Sequence, residues 1–310
     1  MTTMTRRQAL SAGAALPLAA GALGATARPA SATADMMGTT VPTHHRFKLG
    51  AFEVTTLLAG TRTVENPQGI FGLSTPAEDF AAAAEAAFLP TEAAQFFFTP
   101  TLVNTGAELI LFDTGLNPAG ITGALAAAGY SPDQVDTVVI THMHGDHIGG
   151  LMGDDGETFA GARYVTGSVE HNHWSQAGNE NFDAKVAPLN DKISFLDDGG
   201  SVAAGVTAMA AFGHTPGHMA YMLESDGQNL VLFADTANHY VFSLAHPDWE
   251  VRFDMDKTEA AATRRRVLGM LAADRVPFIG YHMPFPALGY VASEGDGFRY
   301  VPASYQFMMG

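Results

Sequence analysis

Cysteine is absent from the 310-residue chain, and basic residues are scarce. The lack of cysteine excludes disulfides, a cysteine nucleophile and zinc sites built on thiolates. Lys and Arg number 16 against 32 Asp and Glu, a formal charge of −16 at pH 7. Such a surface repels polyanions, which counts against nucleic acid as a partner. Hydrophobic residues, by contrast, make up 47% of the chain, enough for a large folded core.

The first residues have the features of an export signal. Arg6-Arg7 precedes a weakly apolar run to about Ala27, and Ala30-Ser31-Ala32 is typical of a cleavage site. We therefore predict a twin-arginine-type signal peptide over residues 1–32, a flexible arm over residues 33–45, and a periplasmic or secreted protein. The alternative is an uncleaved membrane anchor, but Gly and Pro interrupt the run. No other segment is long and apolar enough to predict stable membrane insertion.

One polar cluster, Thr141–Gly150, directly follows the β-branched run Val135–Ile140, which predicts a buried strand. His142 and His144 are two residues apart, so both rings face the same way while the chain stays extended. Gly145 permits a turn, after which Asp146 and His147 can address a second point. Surface histidines on a loop are the alternative. Four potential ligands in six residues after a buried strand favour two neighbouring metal ions instead.

Three later residues occupy similar positions at predicted strand ends. His214 lies in a Gly- and Pro-bracketed turn, Asp235 follows the apolar run Val231–Ala234, and His282 follows Val276–Tyr281. Each side chain has a structural alternative, since a turn histidine or a capping Asp is common. Their position at strand ends, where α/β proteins concentrate their chemistry, leaves both interpretations open at this point.

The pattern H-x-H-x-D-H at His142–His147, followed by the three later segments in order, resembles the metallo-β-lactamase superfamily. The resemblance implies an α/β fold, an αβ/βα sandwich of two mixed β-sheets flanked by helices, over residues 46–310. The C-terminal runs Tyr281–Tyr290 and Gly297–Pro302 are similar to the exported methyl parathion hydrolase branch.

The resemblance also implies the ligand sets. One ion takes His142, His144 and His214, the other takes Asp146, His147 and His282, and Asp235 bridges them. The ions are expected to be Zn²⁺, with Mn²⁺, Fe²⁺ or Co²⁺ as alternatives. A hydroxide shared by the ions would be the nucleophile, with either Asp146 or Asp235 carrying the proton. Asp113 is expected to support the metal loop through its contacts with the ligands.

These features predict a binuclear metal-dependent hydrolase of small neutral esters, lactones or organophosphate triesters. Quorum-quenching N-acyl homoserine lactonases are an alternative, although they carry a tyrosine where this chain has Asn238. A non-catalytic periplasmic metal-binding protein is an alternative from another class. We expect an apolar substrate pocket, and a homodimer is left open. The aromatic residues expected to line that pocket are Phe97, Trp174 and Phe285.

The hydrophobic pattern further predicts individual elements. Phe47–Leu58 and Val202–Phe212 are each expected to form one strand, and residues 60–76 a loop. Helices are expected over Ala77–Phe88, Pro118–Gly129 and residues 256–273. On the last of these, Arg264-Arg265-Arg266 is interpreted as a solvated face.

Overall fold

A computed structural model describes residues 35–304 of the chain. The predicted signal peptide lies outside the described residues. The chain divides into two units at Thr40, and the described part of the first, residues 35–40, has neither helix nor strand. All helices and strands of the described residues lie in the second unit, from Val41 onward.

The strands are mostly short, and they are joined either by tight turns or by longer segments that contain the helices. In chain order they are β1 (His44–Leu49), β2 (Phe52–Leu57), β3 (Gly60–Glu65), β4 (Ala93–Phe98), β5 (Thr101–Asn104), β6 (Leu109–Phe112), β7 (Thr137–Ile140), β8 (Met152–Gly153), β9 (Gly156–Glu157), β10 (Arg163–Gly167), β11 (Ile193–Leu196), β12 (Ser201–Ala203), β13 (Val206–Ala210), β14 (Met219–Ser225), β15 (Gln228–Ala234), β16 (Phe278–Gly280), β17 (Leu288–Glu294) and β18 (Gly297–Pro302).

The helices begin at recognisable signals. Asn117 caps the second α-helix with its side chain, Asp256 caps the last, and Pro76 precedes the first. None of the helices in the described part of the chain is long and apolar enough to cross a membrane. The α-helices are α1 (Ala77–Ala86), α2 (Pro118–Ala127), α3 (Gly145–Ile148), α4 (Ser168–Trp174), α5 (Glu180–Lys185) and α6 (Lys257–Asp274), and 3₁₀ turns span Pro67–Gly69, Pro132–Gln134 and Ala187–Lys192.

Two mixed seven-stranded sheets form the centre of the fold. The first has the order β1-β2-β5-β6-β7-β10-β11, and the second runs from β12 to β18 in sequence order. Strand β7 pairs in parallel with both β6 and β10, while β15 and β16 form the parallel pair of the second sheet. The expected α/β sandwich of two mixed sheets is confirmed.

Alternating side chains of the first sheet enter two different cores. Val139 points into the core shared with the second sheet, where it joins Phe112, Tyr221 and Leu232. Its neighbours Val138 and Ile140 point to the opposite core, against Ile121 and Leu125 of α2. A central strand buried on both faces explains why the run before His142 is apolar without alternation.

Several element predictions are wrong. The single strand predicted for Phe47–Leu58 is a hairpin, which turns at Gly50 with φ +58°. Val202–Phe212 is likewise two strands, β12 and β13. The loop predicted for residues 60–76 contains β3, which pairs with β4. His44 and His45, assigned to the arm, belong to β1. The helix predictions agree with α1, α2 and α6 within two residues at either end.

Candidate metal centre

The structure brings all seven predicted ligand residues to one edge of the two sheets. His142, His144, Asp146 and His147 follow β7 in the first sheet, whereas Asp235 follows β15 in the second. His214 lies between β13 and β14, and His282 lies two residues after β16. The site is therefore built from both sheets, and five of the seven residues are buried, with His144 and Asp146 partly exposed.

The side chains form three overlapping groups of three residues. Within each group, the potential ligand atoms lie within 4.8 Å of one another. One group is His142, His144 and His214, the set expected for the first ion. Another is Asp146, His147 and His282, the set expected for the second. The third joins His142, His147 and Asp235, which places Asp235 between the two sets.

In three of the ligand histidines, a hydrogen bond at Nδ1 orients the ring so that Nε2 faces the centre of the site. His147 Nδ1 lies 2.8 Å from an Asp113 carboxylate oxygen, His214 Nδ1 lies 2.9 Å from Asp254, and His282 Nδ1 lies 2.9 Å from the carbonyl oxygen of Phe97. These partners only accept hydrogen bonds, so each Nδ1 carries a hydrogen, and Nε2 is the atom that can offer its lone pair to a cation once it has lost any proton of its own.

The inward atoms are acceptors that face one another, and a cation would satisfy them. His147 Nε2 lies 3.3 Å from Asp235 Oδ1, and both atoms are buried without a hydrogen-bond partner. His142 Nε2 is a further buried atom of this kind. Buried polar atoms without partners are costly, so their convergence here fits a site that binds a cation. The imidazole and carboxylate donors fit divalent zinc and comparable ions.

Asp113 fixes the start of the metal loop, as the resemblance implies. Its carboxylate accepts hydrogen bonds from the Thr141 backbone N–H at 2.9 Å and from the Thr141 hydroxyl at 2.8 Å, in addition to the His147 ring. One buried side chain therefore orients both the turn into the motif and its last histidine.

Glu170 ties the two ligand loops together, a role that the sequence analysis does not identify. This fully buried carboxylate accepts hydrogen bonds from Met143 N, Trp174 Nε1, Thr215 Oγ1 and Gly217 N, at 2.7 to 2.9 Å. Met143 lies between two ligands of the first loop, and Thr215 follows His214. Since the donors come from separate segments, Glu170 sets the spacing between these loops.

Arg264 corrects the interpretation of the arginine run as a solvated face. The guanidinium is 1% exposed and hydrogen-bonds to Asp254 at 2.6 Å, while the other Asp254 oxygen accepts from His214. It also donates to the carbonyl oxygens of Thr236 and Pro247. Arg264 thus holds Asp254, which in turn holds a metal-ligand ring. Arg265 and Arg266 are exposed, as expected for a solvated face.

Two opposing environments act on the pKa values of the histidines in the metal-free chain. Burial, helped by the neighbouring His214, lowers the pKa of His144 to about 3. Burial also acts to lower the pKa of His214 and His282, but the carboxylates beside them outweigh it and raise both pKa values to about 9. For His214 these are Asp235 and Asp254, and for His282 they are Asp235 and Asp146.

A cavity of about 380 Å³ lies directly over the centre. It is lined by four ligand residues, His144, Asp146, Asp235 and His282, and by a wall that is mostly apolar. That wall consists of Val64, Phe96, Phe98, Leu116 and Phe253, with Arg62 and Gly145 completing the lining. The site is therefore accessible to a small molecule with apolar parts.

The three residues predicted to line the substrate pocket lie in three different parts of the structure, outside the lining of the cavity over the centre. Trp174 packs in the core beside α5, and its ring meets His144 edge-on at 5.9 Å between centroids. Its Nε1 donates to Glu170, so it supports the centre from behind rather than lining this cavity. Phe97 lines a separate, smaller cavity. Phe285 is half-buried and belongs to neither lining.

The two facing sheets and the histidine- and aspartate-rich centre at their edge define an α/β protein built to hold metal. A model of the metallo-beta-lactamase superfamily matches residues 99–278. The chain belongs to the metallo-beta-lactamase superfamily.

Several known proteins are similar to this chain. The lactamase-like protein nscB of Neosartorya fischeri is 28% identical over 148 residues, 47% of this chain and 39% of that protein. The N-acyl homoserine lactonase of Bacillus cereus is 28% identical over 120 residues, 38% and 45% of the two chains. The matches thus span less than half the length of these relatives. AidC, a dizinc quorum-quenching lactonase solved with a product, is 25% identical with a TM-score of 0.78, over 84% of this chain and 97% of that one.

Proposed function

We propose that the protein is a binuclear metal-dependent hydrolase of small, neutral, fairly apolar esters and lactones. The observation that carries the proposal is the convergence of seven His and Asp side chains beneath a largely apolar cavity. The set consists of nitrogen and oxygen donors without a thiolate, which suits divalent ions that activate water for hydrolysis. Similarity to the dizinc lactonase AidC supports both the metal and the substrate class.

Two bound ions would supply an activated water molecule and would polarise the oxygen of the group under attack. The chain's own residues prepare that arrangement. Asp113, Asp254 and the Phe97 carbonyl hold three imidazoles in the tautomer that leaves Nε2 free. Asn238 Nδ2 donates to Asp235 Oδ2 at 2.8 Å, which fixes the carboxylate between the ligand sets.

Asp146 is the better placed of the two carboxylates to exchange a proton with solvent. Its side chain is 25% exposed, whereas the Asp235 side chain is 4% exposed. Asp146 also lines the cavity, where a leaving group would depart. We therefore assign proton transfer to Asp146 and the bridging position to Asp235.

The substrate class follows from the cavity walls. Phe96, Phe98 and Phe253 surround the ligands with apolar surface, and a mature chain without residues 1–32 would have 13 basic and 32 acidic residues, hence a charge of −19. Polyanionic substrates are disfavoured by this charge. Neutral organophosphate triesters fit the same walls, and the similarity of the C-terminal runs to the methyl parathion hydrolase branch supports testing them.

N-acyl homoserine lactones are a second candidate within this class. The likeness to AidC and to the Bacillus cereus lactonase favours them. Asn238, which stands where such lactonases have a tyrosine, is buried against Asp235 and offers no phenol to a substrate. We therefore expect the chain to accept several neutral esters and lactones rather than this one class.

Steady-state kinetics on zinc-loaded protein test the proposal, with lactones, aryl esters and paraoxon-type triesters measured side by side. Asp235→Asn should lower kcat by about 10²- to 10⁴-fold with much less effect on KM, because the carboxylate acts at the reacting centre. Asp248→Asn makes the same change at an exposed ion pair with Arg265 and should leave both parameters unchanged.

The same panel separates the proposal from its alternatives. Activity confined to anionic phosphodiesters would contradict the substrate class. No hydrolysis of any substrate by protein that retains its metals would instead favour a non-catalytic metal-binding protein.

A further inference from the structure

A second cavity of about 250 Å³ lies beside the metal centre and is lined by His239. We call it the His239 cavity. Its walls are apolar and include Leu89, Pro90, Phe97, Phe242 and Pro284. Among the described residues that line it there is no Asp, Glu, Lys or Arg. The cavity therefore suits a neutral compound of fragment size.

The protein fixes the tautomer of His239. The backbone N–H groups of Val241 and Phe242 both donate to Nδ1 at 3.1 Å, so Nδ1 is an acceptor and the ring hydrogen is on Nε2. Burial lowers the pKa of His239 to about 3, which keeps the ring neutral at physiological pH. The ring is further held by stacking on Phe242, with centroids 4.4 Å apart.

The Nε2–H group is a donor without a partner. Within residues 35–304, His239 Nε2 makes no hydrogen bond, and it is not among the fully buried atoms that lack one. His239 lines the cavity and its Nε2 is not fully buried, so this donor is available there. Two other polar side chains of the lining are already engaged: Gln95 bonds to Thr63 and Phe96, and His282 Nδ1 bonds to Phe97. The Tyr240 hydroxyl is the remaining polar side-chain group of the lining.

We propose that the His239 cavity is a second small-molecule site, which binds a neutral, mostly apolar compound through one acceptor oxygen hydrogen-bonded to His239 Nε2. Ketones and ester carbonyls have this chemistry. His282 lines both this cavity and the cavity over the metal centre, so an occupant would lie against a metal ligand. The site is distinct from the reacting centre because none of the other ligand residues lines it.

The test is binding of cyclohexanone to the full, zinc-loaded chain, with methylenecyclohexane as the probe of the same shape that lacks the oxygen. Labelling the histidines with ¹⁵N allows the His239 Nε2–H signal to be followed during each titration. We expect millimolar binding of both probes, with the ketone about three- to tenfold tighter because of its one hydrogen bond. Only the ketone should move the Nε2–H signal strongly.

Three variants locate the interaction. His239→Asn keeps an acceptor for the two backbone N–H groups but retracts its own N–H donors toward the backbone, short of the position of Nε2, so it should abolish the advantage of the ketone. Tyr240→Phe removes the one hydroxyl among the described residues of the lining and should change nothing. Ala93→Leu places a larger side chain in the lining while leaving His239 itself unchanged, and it should weaken both probes.

The proposal is wrong if the ketone binds no tighter than the hydrocarbon, or if its advantage survives in His239→Asn or is lost in Tyr240→Phe. Binding undiminished by Ala93→Leu would also overturn it. If His239→Asn fails to fold, the comparison of the two probes on the unchanged chain, together with Tyr240→Phe and Ala93→Leu, still decides. The readout requires no hydrolysis, so it does not depend on the proposed function.

Discussion

At the scale of single residues, the centre depends on side chains that never touch an ion. Asp254 accepts a hydrogen bond from His214 at 2.9 Å and another from the buried Arg264 at 2.6 Å. This series of hydrogen bonds holds the His214 ring with Nε2 pointing toward the metal centre. Partners that orient a metal-ligating histidine increase its basicity and restrict its motion, and their loss weakens metal binding.

Asp254→Asn should therefore weaken zinc binding by about ten- to a hundredfold. The amide cannot satisfy both the His214 ring and the Arg264 guanidinium, which lie on opposite oxygens of the carboxylate. Competition with a chromophoric chelator measures the affinity. Asp256→Asn, two residues away, is the matched control, since its exposed side chain caps α6 and asparagine caps equally well. Equal affinities in the two variants would contradict the role of Asp254.

The pKa values of two ligand rings predict how metal binding depends on pH. In the metal-free chain the pKa values of His214 and His282 are both raised to about 9 by neighbouring carboxylates, so both rings are mostly charged at pH 7. A cation must displace one proton from each ring. Affinity should consequently rise with pH between about 7 and 9 and level off above, where the rings are already neutral.

Isothermal titration calorimetry in buffers of different ionisation enthalpy measures this proton release directly. At least two protons per chain should be released when zinc binds at pH 7, from His214 and His282 and also from His147, whose pKa, despite burial, is raised above its ordinary value by Asp235 and Asp113. A binding enthalpy independent of the buffer would show that the rings are neutral beforehand and would contradict the assignment.

The sequence predicts the ligands better than it predicts their supports. His142, His144, Asp146 and His147 form a compact pattern after an apolar run, so their grouping is visible without coordinates. Arg264 is different, because it lies in a run of three arginines that looks solvated. The available signal was its position four residues after Ala260 and four before Leu268, both of which face the core.

At the scale of elements, helix α4 joins the two ligand loops through Glu170 and a close backbone contact. A Cβ on Gly217 would lie 2.1 Å from the backbone nitrogen of Glu170, so no other residue fits while α4 keeps its place. Gly217 also donates its N–H to the Glu170 carboxylate at 2.9 Å. The glycine thus permits the approach that lets one carboxylate bridge the loops.

Gly217→Ala should lower the free energy of unfolding by about 1–3 kcal/mol, because backbone atoms must move apart. It should also weaken zinc binding, because the loop that carries His214 would move away from the loop that carries His142 and His144. Denaturant unfolding of metal-free protein and chelator competition measure the two effects. Gly123→Ala, in α2 with open space around its Cβ, should leave metal binding unchanged and not reduce stability. An unchanged Gly217→Ala variant would contradict the account.

Element boundaries were predicted less well where hydrophobicity runs through a turn. Phe47–Leu58 contains apolar residues on both sides of Gly50, so the pattern alone does not show that the chain reverses there. Strand β3 was missed because Arg62, Thr61 and Thr63 are exposed, and its pairing with β4 depends on contacts distant in sequence. Such tertiary contacts override local preference in short edge strands.

At the scale of the whole molecule, the centre requires the two sheets to face each other. His142, His144, Asp146 and His147 come from the first sheet, while His214, Asp235 and His282 come from the second. Sequence shows the apolar runs that precede the ligands, whereas the sandwich is an expectation from the family resemblance that the structure confirms. An apolar pocket is expected from the sequence, but its lining is not predictable, because it depends on how β3, β4 and the segment after β15 pack over the edge.

Metal content per chain tests the central claim most directly. Elemental analysis of protein equilibrated with excess zinc and freed of loosely held ions should approach about two equivalents. Asp146→Ala, which removes a ligand of one set only, should lower the value to about one. A stable value near one in the unchanged chain, with no further change in Asp146→Ala, would contradict the two-ion centre.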